Sequence, residues 1–310
     1  MAPRRVLTIA RQELRTHARS PLAWGLLAFT VFATLFVNPA AMIPSGDAAI
    51  GGVQPFSNSR HAMAQSFALT GLIFYTFLTS VLAGLSLLRD DEARVGDLLH
   101  STPLTAAEYV VGKFSGVIGA LFTVLALHLA IAIAWREGGT ALGADAILGP
   151  FRLSNYVIPA VVFLAPGVVF CAALSFAAGE RLRSAFGIYL LPTALFFLAL
   201  AGLVPRPLSS LDPVLNPAFA AFDVWGARWL SAVIFRADRG VEYYNTAALA
   251  FDTPFLLNRL FILVLPALAI FSTIRHCQRR VRGAGPVGGR RGMPVAPASD
   301  RRPLSTAPRW

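Results

Sequence analysis

Six long apolar stretches dominate this sequence and restrict what it can fold into. A helix needs about twenty consecutive apolar residues to cross a bilayer. Hydrophobic residues make up 55% of the 310 residues and charged residues only 14%, which is more apolar than an ordinary soluble domain. We therefore predict an all-α membrane protein with six transmembrane helices, at about residues 21–38, 66–88, 113–135, 155–178, 185–204 and 258–274.

The predicted spans are irregular in two ways. Prolines interrupt the last three and predict kinks, whose freed backbone groups neighbouring helices must satisfy. The sixth span is the shortest, and Asn258 and Arg259 at its start are expected to reach toward the membrane surface, because long polar side chains can snorkel. The prolines are Pro159, Pro166, Pro192 and Pro266.

The distribution of basic residues predicts the orientation of the chain. With the N-terminus inside the cell, 19 Lys and Arg residues fall in the inner segments and 8 in the outer ones. Cytoplasmic segments of membrane proteins carry such an excess. We therefore interpret the net charge of +11 as a topological signal and not as a nucleic-acid surface. The prediction is a multi-pass protein of the plasma (inner) membrane with both termini in the cytoplasm.

The outer segment 205–257 contains one stretch, residues 218–235, that resembles a seventh span. Asp223 and Arg228 near its centre would together cost about 5–7 kcal/mol, and its apolar side chains would return only about 2–4 kcal/mol. We therefore expect an amphipathic helix at the outer interface, with Trp225 and Trp229 at headgroup level. Two interpretations of the whole outer segment are equally open. It is either a lid over an outward exit or a cap that only packs on the bundle.

Basic sequence flanks the spans at both ends of the chain. Residues 3–19 predict an interfacial amphipathic helix, because apolar side chains recur along one stripe and arginines along another. Residues 276–310 are rich in Gly, Pro and Arg, so we predict a disordered basic cytoplasmic tail after a transmembrane domain of residues 1–275. The apolar stripe holds Leu7, Ala10, Leu14 and Ala18, and the basic one includes Arg4, Arg11, Arg15 and Arg19.

The inner connector between the second and third spans, residues 89–116, is a charged segment between two apolar runs. Its first part is typical of a short helix over Asp91–Leu99, which Pro103 ends. Thr105 is a predicted N-cap, and Glu108 three residues later completes a capping box. The connector is either a solvated link or a platform on which another protein pushes. The short helix has Val95, Leu98 and Leu99 on its apolar side and Asp91 and Glu92 among its acids.

Two features of the third predicted span suggest packing or chemistry. Small residues at its start, Gly112, Gly116 and Gly119, predict a face for close helix packing. His128 is the one ionisable residue deep in a span, which makes it a functional candidate, although a hydrogen-bonding histidine facing the bundle is the more ordinary interpretation. The sequence has no zinc-hydrolase motif, phosphate-binding loop or metal-ligand spacing. We therefore predict no catalytic residue, metal or cofactor in this chain.

The connector also resembles that of type-2 ABC exporter permeases. The family has an acidic stretch after the second span, a Leu-Leu-x-Ser/Thr-Pro-Leu-like pattern, a Glu, and Gly-Lys or Gly-Arg at the third span. The N-terminal helix and six spans fit the same family, in a subgroup related to permease–aminopeptidase fusions, although this chain has no peptidase sequence. The matching residues are Asp91-Glu92, Leu98-Leu99-His100-Ser101-Thr102-Pro103-Leu104, Glu108-Tyr109 and Gly112-Lys113.

The resemblance implies the permease subunit of a bacterial ABC exporter. Such a subunit is not itself an enzyme: separate ABC ATPases bind ATP and magnesium, and the permease pairs in the bilayer with itself or a sister chain. In the family, the segment matching Asp91–Leu99 is a coupling helix seated in a groove of the ATPase. The coupling residues implied here are Asp91, Glu92, Val95, Leu98, Leu99 and Glu108.

Two other classes of function stay open at this point. A non-transporting membrane anchor or scaffold would recruit partners through its cytoplasmic faces. A membrane-embedded enzyme would use His128, but it would need further intramembrane acids or a metal constellation, which the sequence lacks. Because the spans carry no acidic or basic track, a lipidic or amphiphilic cargo is favoured over a small charged ion.

Overall fold

Every regular element that the structure describes is a helix. The structure is a computed structural model, and it describes residues 2–44, 52–92, 104–138, 147–182, 184–203, 219–235 and 239–283. A 3-10 turn, Pro39–Met42, follows the second helix. The helices are α1 (Pro3–Ala18), α2 (Pro21–Phe36), α3 (Arg60–Thr70, a π-helical turn Gly71–Tyr75, then Thr76–Glu92), α4 (Ala106–Gly138), α5 (Ser154–Pro159, a π-helical turn Ala160–Leu164, then Ala165–Leu182), α6 (Ala185–Leu203), α7 (Ala227–Phe235), α8 (Val241–Thr246) and α9 (Thr253–Gly283).

Several of these helices are suited to a bilayer. By length and composition, α3, α4, α5 and α9 could each cross one, which gives four candidate spans. α1 and α2 meet at a bend of 62° and qualify only as a pair, which would make five. α6 contains a shorter apolar helix, Phe186–Ala201. The predicted class, an all-helical protein with membrane-suited helices, is confirmed at that level.

α3 and α5 form the centre of the bundle. Their most apolar stretches are 67% and 61% buried, against 28% for α9. α4 packs against α1 and α2, α6 packs against α3 and α5, and α9 packs against α5 and α4. We call the end of the bundle that holds α1 the α1 end. The opposite end, which holds α7, α8 and the beginnings of α3, α5 and α9, is called the far end.

At the far end, Trp225 inserts between the two central helices beside their π-helical turns. A Cβ on Gly71 of α3 or on Gly167 of α5 would lie 2.3 Å from the Trp225 ring, so these two positions have room only for glycine. The indole Nε1 donates to Thr76 Oγ1 at 2.8 Å. The Thr76 hydroxyl in turn donates to the Gly71 carbonyl at 3.1 Å. Trp225 is therefore both packed and hydrogen-bonded inside the protein.

This placement corrects the expectation for residues 218–235. Trp225 is 2% exposed, so its indole contacts protein and not lipid headgroups. The stretch is also not one continuous helix, because a turn with Gly226 at φ +68° interrupts it before α7. Positive φ is easily adopted by glycine. Trp229 packs less deeply, and its Nε1 donates to Asp252 Oδ1 at 3.0 Å.

The beginning of the last predicted span also differs from expectation. Arg259 does not snorkel: it is 8% exposed. Its guanidinium donates to the carbonyls of Asp223 and Val224 in the turn before α7, the latter at 3.0 Å. The Asn258 side-chain oxygen accepts from Arg259 Nε at 3.0 Å. Arg259 thus holds the Trp225 turn from inside.

α9 is longer than the predicted span of residues 258–274. It begins at Thr253, where the Asp252 carboxylate accepts from the Phe255 N–H at 2.9 Å. It continues to Gly283, so the first residues of the predicted tail are helical. Arginine is a good helix former, and a basic flank therefore does not end a helix where the apolar run stops. Residues 284–310 of the predicted tail lie outside the described residues.

Candidate functional site

At the α1 end, three helices meet around Lys113, the only lysine in the sequence. α1 supplies Glu13, the end of α3 supplies Asp90, and the beginning of α4 supplies Lys113. Lys113 Nζ lies 2.5 Å from Asp90 Oδ2 and 3.3 Å from Glu13 Oε2, and it donates to the Ser86 carbonyl at 2.9 Å. We call Glu13, His17, Ser86, Asp90 and Lys113 the Lys113 cluster.

The Lys113 cluster keeps the Glu13 carboxylate ionised. Burial alone would raise the pKa of Glu13, but the hydrogen bond with His17, the charge of Lys113 and the hydrogen bond from Ser86 lower it to about 2. Ser86 Oγ donates to Glu13 at 2.6 Å, and His17 Nε2 lies 3.0 Å from the carboxylate. Removing one partner of a buried ion pair leaves an uncompensated charge. The position of α1 therefore depends on Lys113.

The Lys113 cluster also joins the two sides of the inner connector. Asp90, in the last turn of α3, accepts a hydrogen bond from the Tyr109 hydroxyl of α4 at 2.5 Å. Arg89 reaches back toward α1, with Nη2 at 3.8 Å from Glu13 Oε1. The end of α3 and the beginning of α4 flank residues 93–103. These two helix ends are thus fixed to each other and to α1.

Glu108 binds the beginning of α1. Its Oε1 accepts from the Ala2 N–H at 2.5 Å, and its Oε2 lies 3.8 Å from Arg5 Nη1. Glu108 Oε2 also accepts from the Thr105 N–H at 3.0 Å, and Thr105 Oγ1 accepts from the Glu108 N–H at 3.2 Å. The predicted capping box is confirmed. It explains why α4 begins at Ala106, seven residues before the predicted span.

The small residues of α4 lie directly against α1. A Cβ on Gly112 would lie 2.8 Å from Ile9 Cβ. A Cβ on Gly116 would lie 2.5 Å from Glu13 Cβ and 2.6 Å from the Ala10 carbonyl oxygen. Gly119 has more room, since a Cβ there would meet only Leu14 Cδ1 at 3.7 Å. Gly112 and Gly116 therefore set the close approach that brings Glu13 to Lys113.

The structure describes the side chain of only one of the six implied coupling residues, Glu108. Glu108 contacts α1 as described above. Asp91 and Glu92 form the last residues of α3, and their side chains lie outside the described part of the chain. Val95, Leu98 and Leu99 also fall among the residues that the structure does not describe.

His128 lies in the middle of the bundle, away from the Lys113 cluster. The Thr34 hydroxyl donates to the Thr30 carbonyl at 2.9 Å, so it is left to accept from His128 Nε2 at 3.1 Å. The Tyr75 hydroxyl then donates to Nδ1 at 3.2 Å. This arrangement fits a neutral imidazole that links α2, α3 and α4. Over the described ranges, His128 contacts no carboxylate, and no group of three or more His, Cys, Asp or Glu residues could hold a metal ion.

A separate ion-pair group at the α1 end joins α5 to α9. Glu180 Oε1 accepts from Arg280 Nη1 at 2.9 Å and lies 3.5 Å from His276 Nδ1. Glu180 is 5% exposed, whereas both basic partners are exposed. This pair explains in part why α9 stays helical beyond its apolar run.

Sequence reasoning missed Glu13 and His17, the residues that bind α1 to the rest of the bundle. The predicted apolar stripe is only partly buried, and its Leu7 is 70% exposed. The face of α1 that meets α4 carries Ile9 and Glu13 beside Leu14 of the stripe, and His17 is buried next to Glu13. One signal was available: Glu13 is the only acid among residues 3–19, and Lys113 is the only lysine. A single acid in a basic helix and a single lysine in the whole sequence have opposite charges, which suggests that they form an ion pair.

The sequence matches no protein-family model and no curated protein. The function therefore has to be argued from the geometry of the Lys113 cluster and of the connector that it flanks.

Proposed function

We propose that this chain is the permease subunit of an ATP-driven ABC transporter that works as an exporter. Separate ATPase subunits would bind ATP and magnesium and act on the connector between α3 and α4. The observation that carries the proposal is the Lys113 cluster, in which the last turn of α3, the beginning of α4 and α1 are joined by buried charges. A push on the connector would therefore reach three helices at once.

The proposed topology has six spans, formed by α2, α3, α4, α5, α6 and α9. The α1 end faces the cytoplasm, in agreement with the excess of basic residues in the segments assigned to that side. α1 lies at the inner interface and carries exposed arginines that suit lipid headgroups, among them Arg4, Arg11 and Arg15. Leu7, exposed on the same helix, suits the acyl region.

The proposed mechanism is mechanical coupling. Closure of the ATPases displaces residues 91–99, where Val95, Leu98 and Leu99 supply the apolar anchor and Asp91, Glu92, Arg89 and Arg94 set the register. Asp90 and Lys113 stand at the two ends of the connector, so its displacement moves α1 through Glu13. A coupling contact does work only if it differs between two states of the partner. The spans then rotate and open a central path, in a homodimer or with a sister permease.

Leu98→Asp tests this proposal directly. The full chain is reconstituted in proteoliposomes with a nucleotide-binding ATPase that co-purifies with it, and ATP turnover is measured with and without the permease. We expect Leu98→Asp to reduce the stimulated turnover more than tenfold, because it places a charge in the apolar anchor. The matched control is Val53→Asp, which adds the same charge at an exposed residue of the far end.

The outcomes separate the three classes of function. Stimulated turnover that persists in Leu98→Asp would reject the coupling assignment, as would a reporter at residue 98 that faces the outside medium. An ATPase that co-purifies but is never stimulated would favour the non-transporting anchor. His128→Ala is expected to leave turnover unchanged, and loss of a chemical activity in that variant would favour the membrane-embedded enzyme.

A further inference from the structure

The far end contains a small polar cavity between three segments that are distant in sequence. Its volume is about 140 Å³. Since a water molecule occupies about 30 Å³ of the liquid, the cavity has room for a few waters or one small polar group. The walls come from residues 56–60, from the segment that leads into α5, and from the end of α8. They include Phe56, Asn58, Arg60, Arg152, Asn155 and Asn245.

Side-chain amides fix the walls of this cavity. Asn58 accepts from the Gly149 N–H at 2.8 Å and donates to the Gly149 carbonyl at 2.9 Å. Asn155 Nδ2 donates to the Asn58 carbonyl at 3.0 Å, and Asn245 Oδ1 accepts from the Phe56 N–H at 2.7 Å. A Cβ on Gly149 would lie 2.3 Å from the Phe56 ring, so the walls also touch closely. The cavity is therefore held by bonds among its own residues.

The charged groups of the cavity are all basic. Arg60 and Arg152 line it, and none of the described residues that line it is acidic. Arg60 donates from Nη2 to Ser154 Oγ at 3.2 Å, while its buried Nε has no acceptor among the residues that the structure describes. Arg152 is exposed and has no carboxylate partner within the same ranges. Glu137 does not line the cavity but contacts its wall, because it accepts from Asn58 Nδ2 at 3.1 Å and from Tyr156 Oη at 2.5 Å.

Two helix dipoles add to this positive potential. α3 begins at Arg60 and α5 begins at Ser154, so the N-terminal ends of both central helices lie at the cavity. The positive end of a helix dipole favours anions. Guanidinium groups bind carboxylate and phosphate oxygens in bidentate pairs, which are stronger than neutral hydrogen bonds. The size of the cavity, its two arginines and the helix dipoles therefore all favour a small anion.

We propose that this cavity binds an oxyanion of the phosphate type, with Arg60 and Arg152 as the binding residues. The anion is either a free phosphate or the phosphate of a lipid headgroup. The lipid source has support in the residues around Arg152: Ile147, Phe151 and Leu153 are 41%, 56% and 54% exposed and would lie beside acyl chains. This inference does not depend on the transport function proposed above.

The test uses the full chain and two anionic probes. In maltoside micelles, which contain no phosphate group, inorganic phosphate is titrated and its affinity measured by calorimetry. In a parallel series in nanodiscs, phosphatidylglycerol replaces part of the phosphatidylcholine, and retained lipid is counted by native mass spectrometry. The variants are Arg152→Gln, which is exposed and leaves the amide wall intact, and Arg60→Gln with Arg152→Gln. Arg228→Gln, at a residue of the far end that does not line the cavity, removes the same charge elsewhere.

We expect Arg152→Gln to weaken binding about tenfold, the double variant to weaken it further, and Arg228→Gln to have little effect. Phosphate binding that depends on both arginines supports a soluble anion. Phosphatidylglycerol retention that depends on them, without phosphate binding, supports the headgroup. Equal binding of both probes to the wild type, Arg152→Gln and the double variant would overturn the proposal, as would an equal loss in Arg228→Gln.

Discussion

At the α1 end, α1 is joined to α3 and α4 through charged side chains, whereas at the far end the turn before α7 is joined to α3 and α5 through an inserted indole. Lys113 reaches Glu13 and Asp90 at 3.3 and 2.5 Å. Trp225 fills the space above Gly71 and Gly167, with one hydrogen bond to Thr76. The first contact depends on ionisation, and the second depends on shape.

The two kinds of contact respond differently to a displacement. Attraction between charges falls slowly with distance, so ion pairs tolerate a shift of one helix and can exchange partners. Close packing is lost as soon as a gap opens, because the atoms that line the gap lose their contacts. We therefore expect the α1 end to be the adjustable part of the bundle and the far end to be the rigid part.

Trp225→Ala should have the largest effect on stability, and it tests whether the far end is the rigid part of the bundle. Removing a large buried aromatic leaves a cavity between α3 and α5 and costs about 3–5 kcal/mol. Thermal unfolding in detergent should show a clear loss of stability. Trp24→Ala is the control, because Trp24 is 61% exposed and its removal opens no buried space. Equal losses in the two variants would mean that Trp225 does not hold the far end together.

Glu13→Gln should have an intermediate effect and tests the charged side. Gln can still hydrogen-bond, but it leaves Lys113 with one carboxylate fewer, so we expect a loss of about 1–3 kcal/mol near neutral pH. The matched control is Glu242→Gln, which removes the same charge at an exposed residue of the far end.

The pH dependence of the Glu13→Gln effect identifies its cause. The pKa of Glu13 is lowered from 4.5 to about 2, so its contribution to stability is fully present above about pH 4.5. It is lost as the pH falls toward 2, because the unfolded state then binds the proton first. The difference in stability between wild type and Glu13→Gln should therefore shrink between pH 5 and pH 3. A difference that stays constant over this range would show that the charge of Glu13 is not what matters.

Gly116→Ala should have the smallest effect on stability, and it tests how much the α1 end depends on the close approach of α1 to α4. The new Cβ would lie 2.5 Å from Glu13 Cβ, so α1 must move, at a cost of about 1–3 kcal/mol. About 1 kcal/mol is returned by the better helix propensity of alanine. Gly119→Ala is the matched control, since its Cβ makes an ordinary contact at 3.7 Å. Gly116→Ala should be the less stable of the two in thermal unfolding, and the reverse order would contradict the proposed packing.

The sequence predicted the helical elements well and their tertiary contacts poorly. Apolar runs located α3, α4 and α5 because run length and helix type are local properties. The Thr105 capping box correctly predicted where α4 begins. The ends of α9 were missed, because this helix extends at both ends past its apolar run. Glu13 was missed, and Trp225 was misplaced, for a different reason. Their partners, Lys113 and the glycines of α3 and α5, are far away in the sequence, and helical periodicity carries no information about them.

The single buried lysine gives this protein a built-in chemical reporter. Among the side chains of this sequence, an amine-reactive reagent can modify only Lys113, which is 4% exposed. Labelling at this position requires α1 to lift away from α4. Peptide mapping after a short pulse of reagent would therefore measure how often this helix detaches in the native, unmutated chain.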